Sequence, residues 1–356
     1  MRSLNFYHDQ PLFGLDFGHS TIKVMQLASE AGKAPKVLGY GIIDYPPDAV
    51  KDGSVINPSA VAKSLHNLFT SHLVGSISTR RVACTIPTSR TYSRPMRLPP
   101  MSDEDITEAV HLEAEQYIPI SSASLYIDYD VSRKDSEGTE LLVVATPKSI
   151  IDSHVSLLES AGLEVVAFEP TMNASARVFA VADTSHDEPS ILIDFGSVSV
   201  DLALFDKTMF VNSTIVGGGN DITLMISQRL GVNQEEAYAL KNNYGIGVSE
   251  KRGEIQTAIE PILNNLVKEI QKIIRYYDER KVQNQKKIGQ IVTMGGGANM
   301  PGLSAYLSTQ LQMPAKMLEP WHKIDFGNLA LPDDIERSMY ITVAGEALLN
   351  PKEIFT

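Results

Sequence analysis

The sequence has one cysteine, Cys84, and one tryptophan, Trp321. A lone thiol excludes an intramolecular disulfide, and Cys84 stands in the apolar run Val82-Ala83-Cys84-Thr85-Ile86, the setting of an inert strand residue. No uninterrupted apolar stretch approaches the about 18 residues that a membrane-spanning helix needs. Residues 1–10 lack the basic and apolar regions of a secretory leader, so the expected compartment is the cytoplasm. Positive charge is also scarce: 31 Lys and Arg stand against 43 Asp and Glu, a net charge of −12. That balance argues against a broad nucleic-acid face. It leaves nucleotide binding open, because a phosphate loop works through backbone N–H groups and one or two cations. What remains is ordinary for a globular chain, 43% hydrophobic and 21% charged, and 356 residues suffice for two domains.

The first ordered unit reads as a hairpin. Leu12-Phe13-Gly14-Leu15-Asp16-Phe17 is a strand, Gly18-His19-Ser20 a turn, and residues 21–27 alternate as a second strand. A third strand is expected at 37–43 and another at 81–86. Between them Asn57-Pro58 opens a helix with Val61, Leu65 and Leu68 on one face. Residues 88–166 change character and read as a compact α/β insertion. Ser102 with Asp105 resembles a capping box before a stripe of Ile106, Val110 and Tyr117; strands follow at 125–131 and 141–145; a helix from about Lys148 ends at Gly162.

The second half repeats the opening. Ile191-Leu192-Ile193-Asp194-Phe195, Gly196-Ser197 and residues 198–205 form another strand–turn–strand, matching the first in its Asp-Phe-Gly core, which signals internal duplication. Helices are expected within 221–241 and over 260–282. The latter carries Ile262, Leu266, Ile270, Ile273 and Tyr277 on one face and Lys268, Lys272, Arg275, Arg280 and Lys281 on the other, a basic patch or a solvated face. Finally Gln290-Ile291-Val292-Thr293-Met294 reads as a buried strand running into Gly295-Gly296-Gly297-Ala298-Asn299.

These loops imply a chemistry. A strand that ends in Asp and turns at Gly directs successive N–H groups at one anion, and Ser20 is small enough not to crowd it. Asp16 repels phosphate, so its use would be to hold the water shell of Mg²⁺, while Lys23 could reach back as a point charge. Alone, such a loop is equally a tight hairpin turn. The second loop, through Val198 and Ser199, adds an opposed hairpin for a di- or triphosphate, and the glycines of 295–297 let backbone approach a flat purine.

This order of three elements resembles the actin/Hsp70 ATPase superfamily over essentially the whole chain. Phe168-Glu169-Pro170-Thr171-Met172-Asn173-Ala174 is similar to the start of that superfamily's first connecting helix, and Tyr340-Ile341-Thr342-Val343-Ala344-Gly345-Glu346-Ala347 to the second. The resemblance is closest to the PilM family of type IV pilus assembly. It is carried by Leu12 to Asp16 with Lys23 to Leu27, by Arg97-Leu98-Pro99-Pro100-Met101-Ser102 through Glu113 to Pro119, and by Gly218-Gly219-Asn220-Asp221-Ile222-Thr223 with Glu235-Glu236-Ala237 and Leu240-Lys241.

The resemblance implies an α/β, actin-like (ribonuclease H-like) ATPase fold, two duplicated domains around a nucleotide cleft, with an inserted FtsA-type subdomain. The implied division is 1–87 with 167–187 and 331–356, the insertion 88–166, then 188–235 with 288–330, and 236–287. It implies ATP or ADP with Mg²⁺. The implied nucleotide contacts are Gly18, His19, Ser20, Thr21, Lys23, Gly196, Ser197, Val198, Ser199, Gly218, Gly219, Lys241, Gly295, Gly296, Gly297 and Asn299. Asp16 and Asp194 would serve the metal, and Glu169 the attacking water. Two departures stand out. Ser197-Val198-Ser199 replaces Gly-Gly-Thr, and Tyr238 replaces the Glu that bonds the ribose hydroxyls. Both imply weak or absent hydrolysis.

The implied partner is the cytoplasmic N-terminal peptide of the inner-membrane protein PilN, held in a groove beside the insertion, with other pilus inner-membrane or motor components and self-association left open. No nucleic acid and no direct membrane insertion are implied; the chain would be peripheral to the inner membrane through that partner. A division-type tether resembling FtsA would need a C-terminal amphipathic helix, for which 348–356, with Pro351, is too short. A metabolic kinase would need a catalytic base beside a second substrate; His19 is explained as well by loop packing.

Overall fold

The computed structural model describes residues 10–30, 32–183, 188–280 and 286–354. Expectations for residues 1–9, Lys281, Val282 and 355–356 lie outside these. Contacts divide the chain into two units: Met1–Arg177 with Lys323–Ala330 and Thr342–Thr356, and Val178–His322 with Leu331–Ile341. The short stretches 323–330 and 331–341 thus fall opposite to their sequence assignment. The first joins unit 1 because Lys36 bridges Asp325 and the Tyr40 hydroxyl donates to Ala330 O at 2.7 Å. The second joins unit 2 because the Asn299 side chain donates to Ile335 O and Ser338 Oγ at 2.7 and 2.9 Å.

Unit 1 opens with β1 (Phe13–Phe17), β2 (Thr21–Ala28) and β3 (Lys36–Asp44), followed by the short ribbon β4 (Val50–Lys51) and β5 (Ser54–Val55). Helix α1 (Pro58–Ser71) begins as expected, with the Asn57 side chain accepting from Ala60 N at 3.2 Å and Pro58 in the first turn. β6 (Leu73–Gly75) and β7 (Arg81–Ile86) follow, then the insertion: β8 (Tyr92–Leu98), α2 (Asp103–Tyr117), β9 (Leu125–Asp135) and β10 (Gly138–Pro147). Helix α3 (Lys148–Ser160), β11 (Glu164–Pro170) and α4 (Thr171–Ala182) lead out.

The main sheet has the order β11-β7-β1-β2-β3-β6, with β7 parallel to β1 and β11 parallel to β7. Every residue of β1 is buried because both faces are covered. Phe13, Leu15 and Phe17 pack with Val61, Leu65, Leu68, Leu157 and Leu158 from α1 and α3. In the insertion, α2 lies on the sheet β8-β10-β9 through Ile106, Val110, Leu141 and Val143. Strand β8 has no counterpart in the sequence reading because Pro95 argues against a strand; it is tolerated because β8 is an edge.

Unit 2 repeats the plan. β12 (Ser190–Phe195), β13 (Ser199–Asp206) and β14 (Thr208–Val216) form the meander, α5 (Gly219–Leu230), α6 (Gln234–Asn243) and α7 (Arg252–Arg280) follow, and β15 (Gln290–Met294), α8 (Leu303–Leu311) and β16 (Ala315–Met317) complete the sheet. Its order, β14-β13-β12-β15-β16, reproduces β3-β2-β1-β7-β11 with the same parallel and antiparallel pairings, so the duplication read from the two hairpins extends to whole sheets. Gly231, at φ 68°, ends α5 and separates it from α6, and α7 starts well before the expected 260, carrying Pro261 inside. Ile191, Ile193 and Phe195 join Leu263, Leu266, Ile270 and Tyr277 of α7 in one core.

The chain ends through α9 (Asp334–Arg337), α10 (Ile341–Ala347) and the short α11 (Pro351–Ile354). In unit 1, α10 packs backbone to backbone: a Cβ on Gly345 would collide with the Ala174 carbonyl of α4, and one on Gly14 would lie 2.6 Å from Val343 O.

Candidate functional site

The two hairpin turns are built alike. Gly18 N donates to Thr21 O at 2.8 Å, and Gly196 N donates to Ser199 O at 3.0 Å. Among the described residues, the next two amides in each turn, His19 and Ser20 in one and Ser197 and Val198 in the other, find no partner within the chain. In unit 2 the loop's own carbonyls hold the start of α5: Gly196 O accepts from Gly219 N, Ser197 O from Asn220 N, and Val198 O from Gly217 N. Two successive N–H groups without acceptors form a nest for an anion. His19 is exposed, and Val198 is 41% exposed at the second turn.

Beneath the turns the two units diverge. The register pairs Asp16 with Lys23 in unit 1 and Asp194 with Asp201 at the equivalent place in unit 2. Lys23 Nζ lies 2.8 Å from Asp16 Oδ2, Thr85 donates to Asp16 Oδ1 at 2.6 Å, and Asp16 and Lys23 are both buried. The lysine expected to reach a phosphate is thus spent on its cross-strand carboxylate, and both oxygens of Asp16 are engaged. Tyr45 closes the group, its hydroxyl donating to Gly18 O at 2.6 Å; burial, then the Asp16 charge, raises its pKa. In unit 2 the residue in register with Asp194 is acidic, Asp201. Asp201 accepts from Thr214 at 2.5 Å, and burial pushes its pKa up to about 7; the Thr214 hydrogen bond opposes the rise and the charge of Asp194 adds to it. Thr85, Tyr45, Asp201 and Thr214 were not singled out from sequence, although aligning the duplicated hairpins would have set Asp201 against Lys23.

Glu169 ends β11 in a bidentate ion pair with Arg177 of α4, at 2.6 and 2.7 Å, and Arg177 also donates to Gly345 O at 2.7 Å. Next to it Glu346 is fully buried, with no donor supplied to either oxygen. Burial, and then the charge of Glu169, raises its pKa well above the ordinary carboxyl value. Both oxygens of the carboxylate expected to orient water are therefore committed to Arg177. Cys84 is buried, and burial raises its thiol pKa, as suits an inert strand residue.

Lys241 of α6 is buried and donates to Gly219 O at 3.1 Å and Thr223 Oγ1 at 3.0 Å, with the Tyr238 ring centroid 4.7 Å from its ammonium. Burial lowers its pKa to about 8. Gly295, at φ 80°, has its Cβ position filled by the Asp194 carboxylate, and that of Gly297 by the Phe195 ring. Close packing on β12 explains these two glycines without a purine. At Gly296 only the Met339 side chain is near, at 3.5 Å. Asn299 spends its amide on the 335–338 backbone and side chain, as described above.

Set beside known proteins, residues 14–350 match the family model of the type IV pilus assembly protein PilM. The cell division protein FtsA of Borreliella burgdorferi is 23% identical over 350 residues, 86% of this chain and 84% of that protein. Among solved structures, a PilM-PilN type IV pilus biogenesis complex superposes with a TM-score of 0.81 at 21% identity, covering 95% of this chain and 98% of that one. The ethanolamine utilization protein EutJ of Carboxydothermus hydrogenoformans follows at 0.54 and 16%, covering 96% and 91%. MreB5 of Spiroplasma citri bound to ADP stands at 0.52 and 13%, covering 95% of each. These structures establish an actin-like ATPase fold. The family model spans nearly all of the sequence, and the chain belongs to the PilM family of type IV pilus assembly proteins.

Proposed function

We propose that this chain is a nucleotide-binding scaffold of the type IV pilus machinery, taking ATP or ADP with Mg²⁺ and holding the N-terminal cytoplasmic peptide of PilN. The observation that carries the nucleotide reading is the duplicated turn, closed by the same glycine bond in each unit and leaving two successive amides without acceptors. MreB5, a fold relative, was solved with ADP and with AMPPNP, which supports the reading. Asp16 and Asp194 are the candidates to hold the water shell of Mg²⁺, each beneath its own turn, with both oxygens of Asp16 engaged by Lys23 and Thr85. The metal, when bound, would neutralise phosphate charge. Turnover is expected to be slow or nil: Glu169 is tied to Arg177, and Val198 crowds the second turn.

The partner reading rests on family membership and on likeness to a structure solved as a PilM-PilN complex. The insertion presents half-exposed Leu112, Tyr126 and Val131, and β9 is a sheet edge able to pair with an extended peptide. No described helix is long and apolar enough to cross a membrane, so attachment to the inner membrane would come through PilN. Millimolar Mg-ATP should raise the melting temperature. At a hundred times Kd the gain is about 2.7 kcal/mol, or roughly 5–10 °C. No shift would end the nucleotide reading. The PilN N-terminal peptide should titrate to saturation, and deletion of 88–166 should abolish that while sparing the Mg-ATP shift; peptide binding unchanged by the deletion would move the partner surface elsewhere.

A further inference from the structure

The two duplicated sheets differ at one edge. In unit 1 the third strand of the meander, β3, has β6 on its outer side, paired through Gly39, Tyr40 and Gly41. In unit 2 β14 holds the place of β3 and ends the sheet, with β13 as its one neighbour. Among the described residues, no backbone hydrogen bond outside that ladder involves 208–216. An edge strand turns half of its N–H and C=O groups outward, a template for another strand, and natural sheets blunt such edges with charge, proline or shortness.

The other edges are blunted in those ways. β8 carries Arg94 and Pro95, β9 carries Asp128 and Asp130, and β11 carries Glu164 and closes with Pro170. β4, β5, β6 and β16 are two or three residues each. β14, Thr208-Met209-Phe210-Val211-Asn212-Ser213-Thr214-Ile215-Val216, has nine residues and neither charge nor proline. A bulge at Phe210, where the register slips, bends its start, and the run from Val211 to Val216 is regular.

That run fits a copy of itself. A two-fold axis perpendicular to a sheet keeps each residue on its own face, so it passes beside one residue and pairs those equally far to either side. With the axis at Ser213, Val211 faces the other copy's Ile215. Both belong to the core under α7, so the two cores join edge to edge. On the opposite face, where Thr214 donates to Asp201, Asn212 faces the other copy's Thr214. Asn212 Nδ2 has no acceptor among the described residues, and that hydroxyl can supply one. The helix beside the edge does not oppose a like copy. Tyr276 of α7 meets Phe210 at 6.1 Å, so its side of the helix borders β14. That side carries both signs, with Glu269 against Lys272 and Arg280 on the Tyr276 ring.

We infer that β14 is a self-pairing edge: two copies of the chain join their unit 2 sheets antiparallel about Ser213 into one continuous sheet. The inference is independent of the nucleotide and PilN readings.

Cross-linking and sedimentation test it. Cys84 is the native chain's sole thiol and is buried, so an introduced cysteine reports alone. Ser213→Cys stands at the axis, within reach of its own copy, and should oxidise to a disulfide-linked pair. Val216→Cys, although 92% exposed, stands three residues from the axis and about 20 Å from its copy along the strands. It should bridge at least about tenfold more slowly. An edge pair is a small interface, so in sedimentation velocity the native protein should pass from one copy to two as concentration rises. Ser213→Lys, which sets like charges together at the axis, should stay single throughout. A native chain that stays single at every concentration, a Ser213→Lys variant that still pairs, or equal bridging at 213 and 216 overturns the inference.

Discussion

Replacing Lys23 by Met isolates what the buried pair beneath the first turn contributes. Lys23 and Asp16 face each other across β1 and β2 at 2.8 Å, each side chain 7% exposed. Lys23→Met keeps the volume and the alkyl packing but leaves the Asp16 carboxylate buried with the Thr85 hydroxyl alone. Stranding one member of a buried pair costs about 3–5 kcal/mol. Asp16→Asn/Lys23→Met should recover most of this, because a neutral amide oxygen still accepts from Thr85 and no charge is stranded; a net cost of about 1–2 kcal/mol is expected. The double variant should therefore be more stable than the single by roughly 2–3 kcal/mol. The assay must report unit 1. Trp321, the sole tryptophan, belongs to unit 2, so its fluorescence does not serve. Hydrogen exchange of the β1 and β2 amides does, with the single variant losing protection by about two to three decades. A single variant within 1 kcal/mol of the native protein, or a double variant as unstable as the single, would refute the argument that Lys23 neutralises Asp16.

Three further outcomes follow from the geometry. Asp201 has a folded pKa of about 7 against an ordinary 3.8, so its proton stabilises unit 2 at low pH and that contribution is lost as pH rises through about 7; Asp201→Asn should flatten the pH dependence of Trp321-monitored unfolding between pH 4 and 8 and at pH 8 stabilise unit 2 by up to about 4 kcal/mol, whereas parallel pH profiles would contradict it. Gly345→Ala forces a Cβ into the Ala174 carbonyl and should cost at least about 1–3 kcal/mol, read by exchange of the α4 amides; unchanged protection would show that α10 can shift freely. ATP turnover should fall far below about 10 per second, the middle of the enzyme range, because Arg177 holds both oxygens of Glu169; brisk turnover that Glu169→Ala abolishes would show that the Arg177 pair does not keep Glu169 from the water.

Local rules carried much of the architecture. Alternating runs around Asp-Phe-Gly announced both hairpins, Asn57-Pro58 started α1 where it begins, and Ser102 caps α2 by accepting from Asp105 N at 3.2 Å. Each signal is a short-range one: a period of two, a fixed φ, or a side chain three residues from the amide it satisfies. The repeat of Asp-Phe-Gly also foretold two like sheets, because the same hairpin must be flanked by the same parallel strands to be buried on both faces. Strand β8 escaped because Pro95 breaks the propensity rule and only its place at a sheet edge makes it harmless. The site was legible as loops but not as partners. That Lys23 serves Asp16, that Arg177 takes both oxygens of Glu169, and that Asn299 holds the 335–338 segment depends on strand register and on contacts between residues up to 69 apart, as with Asp16 and Thr85. Burial decided the rest. Glu346 and Asp201 look like any acidic residues in the sequence, and only the tertiary structure removes the water that would keep them charged.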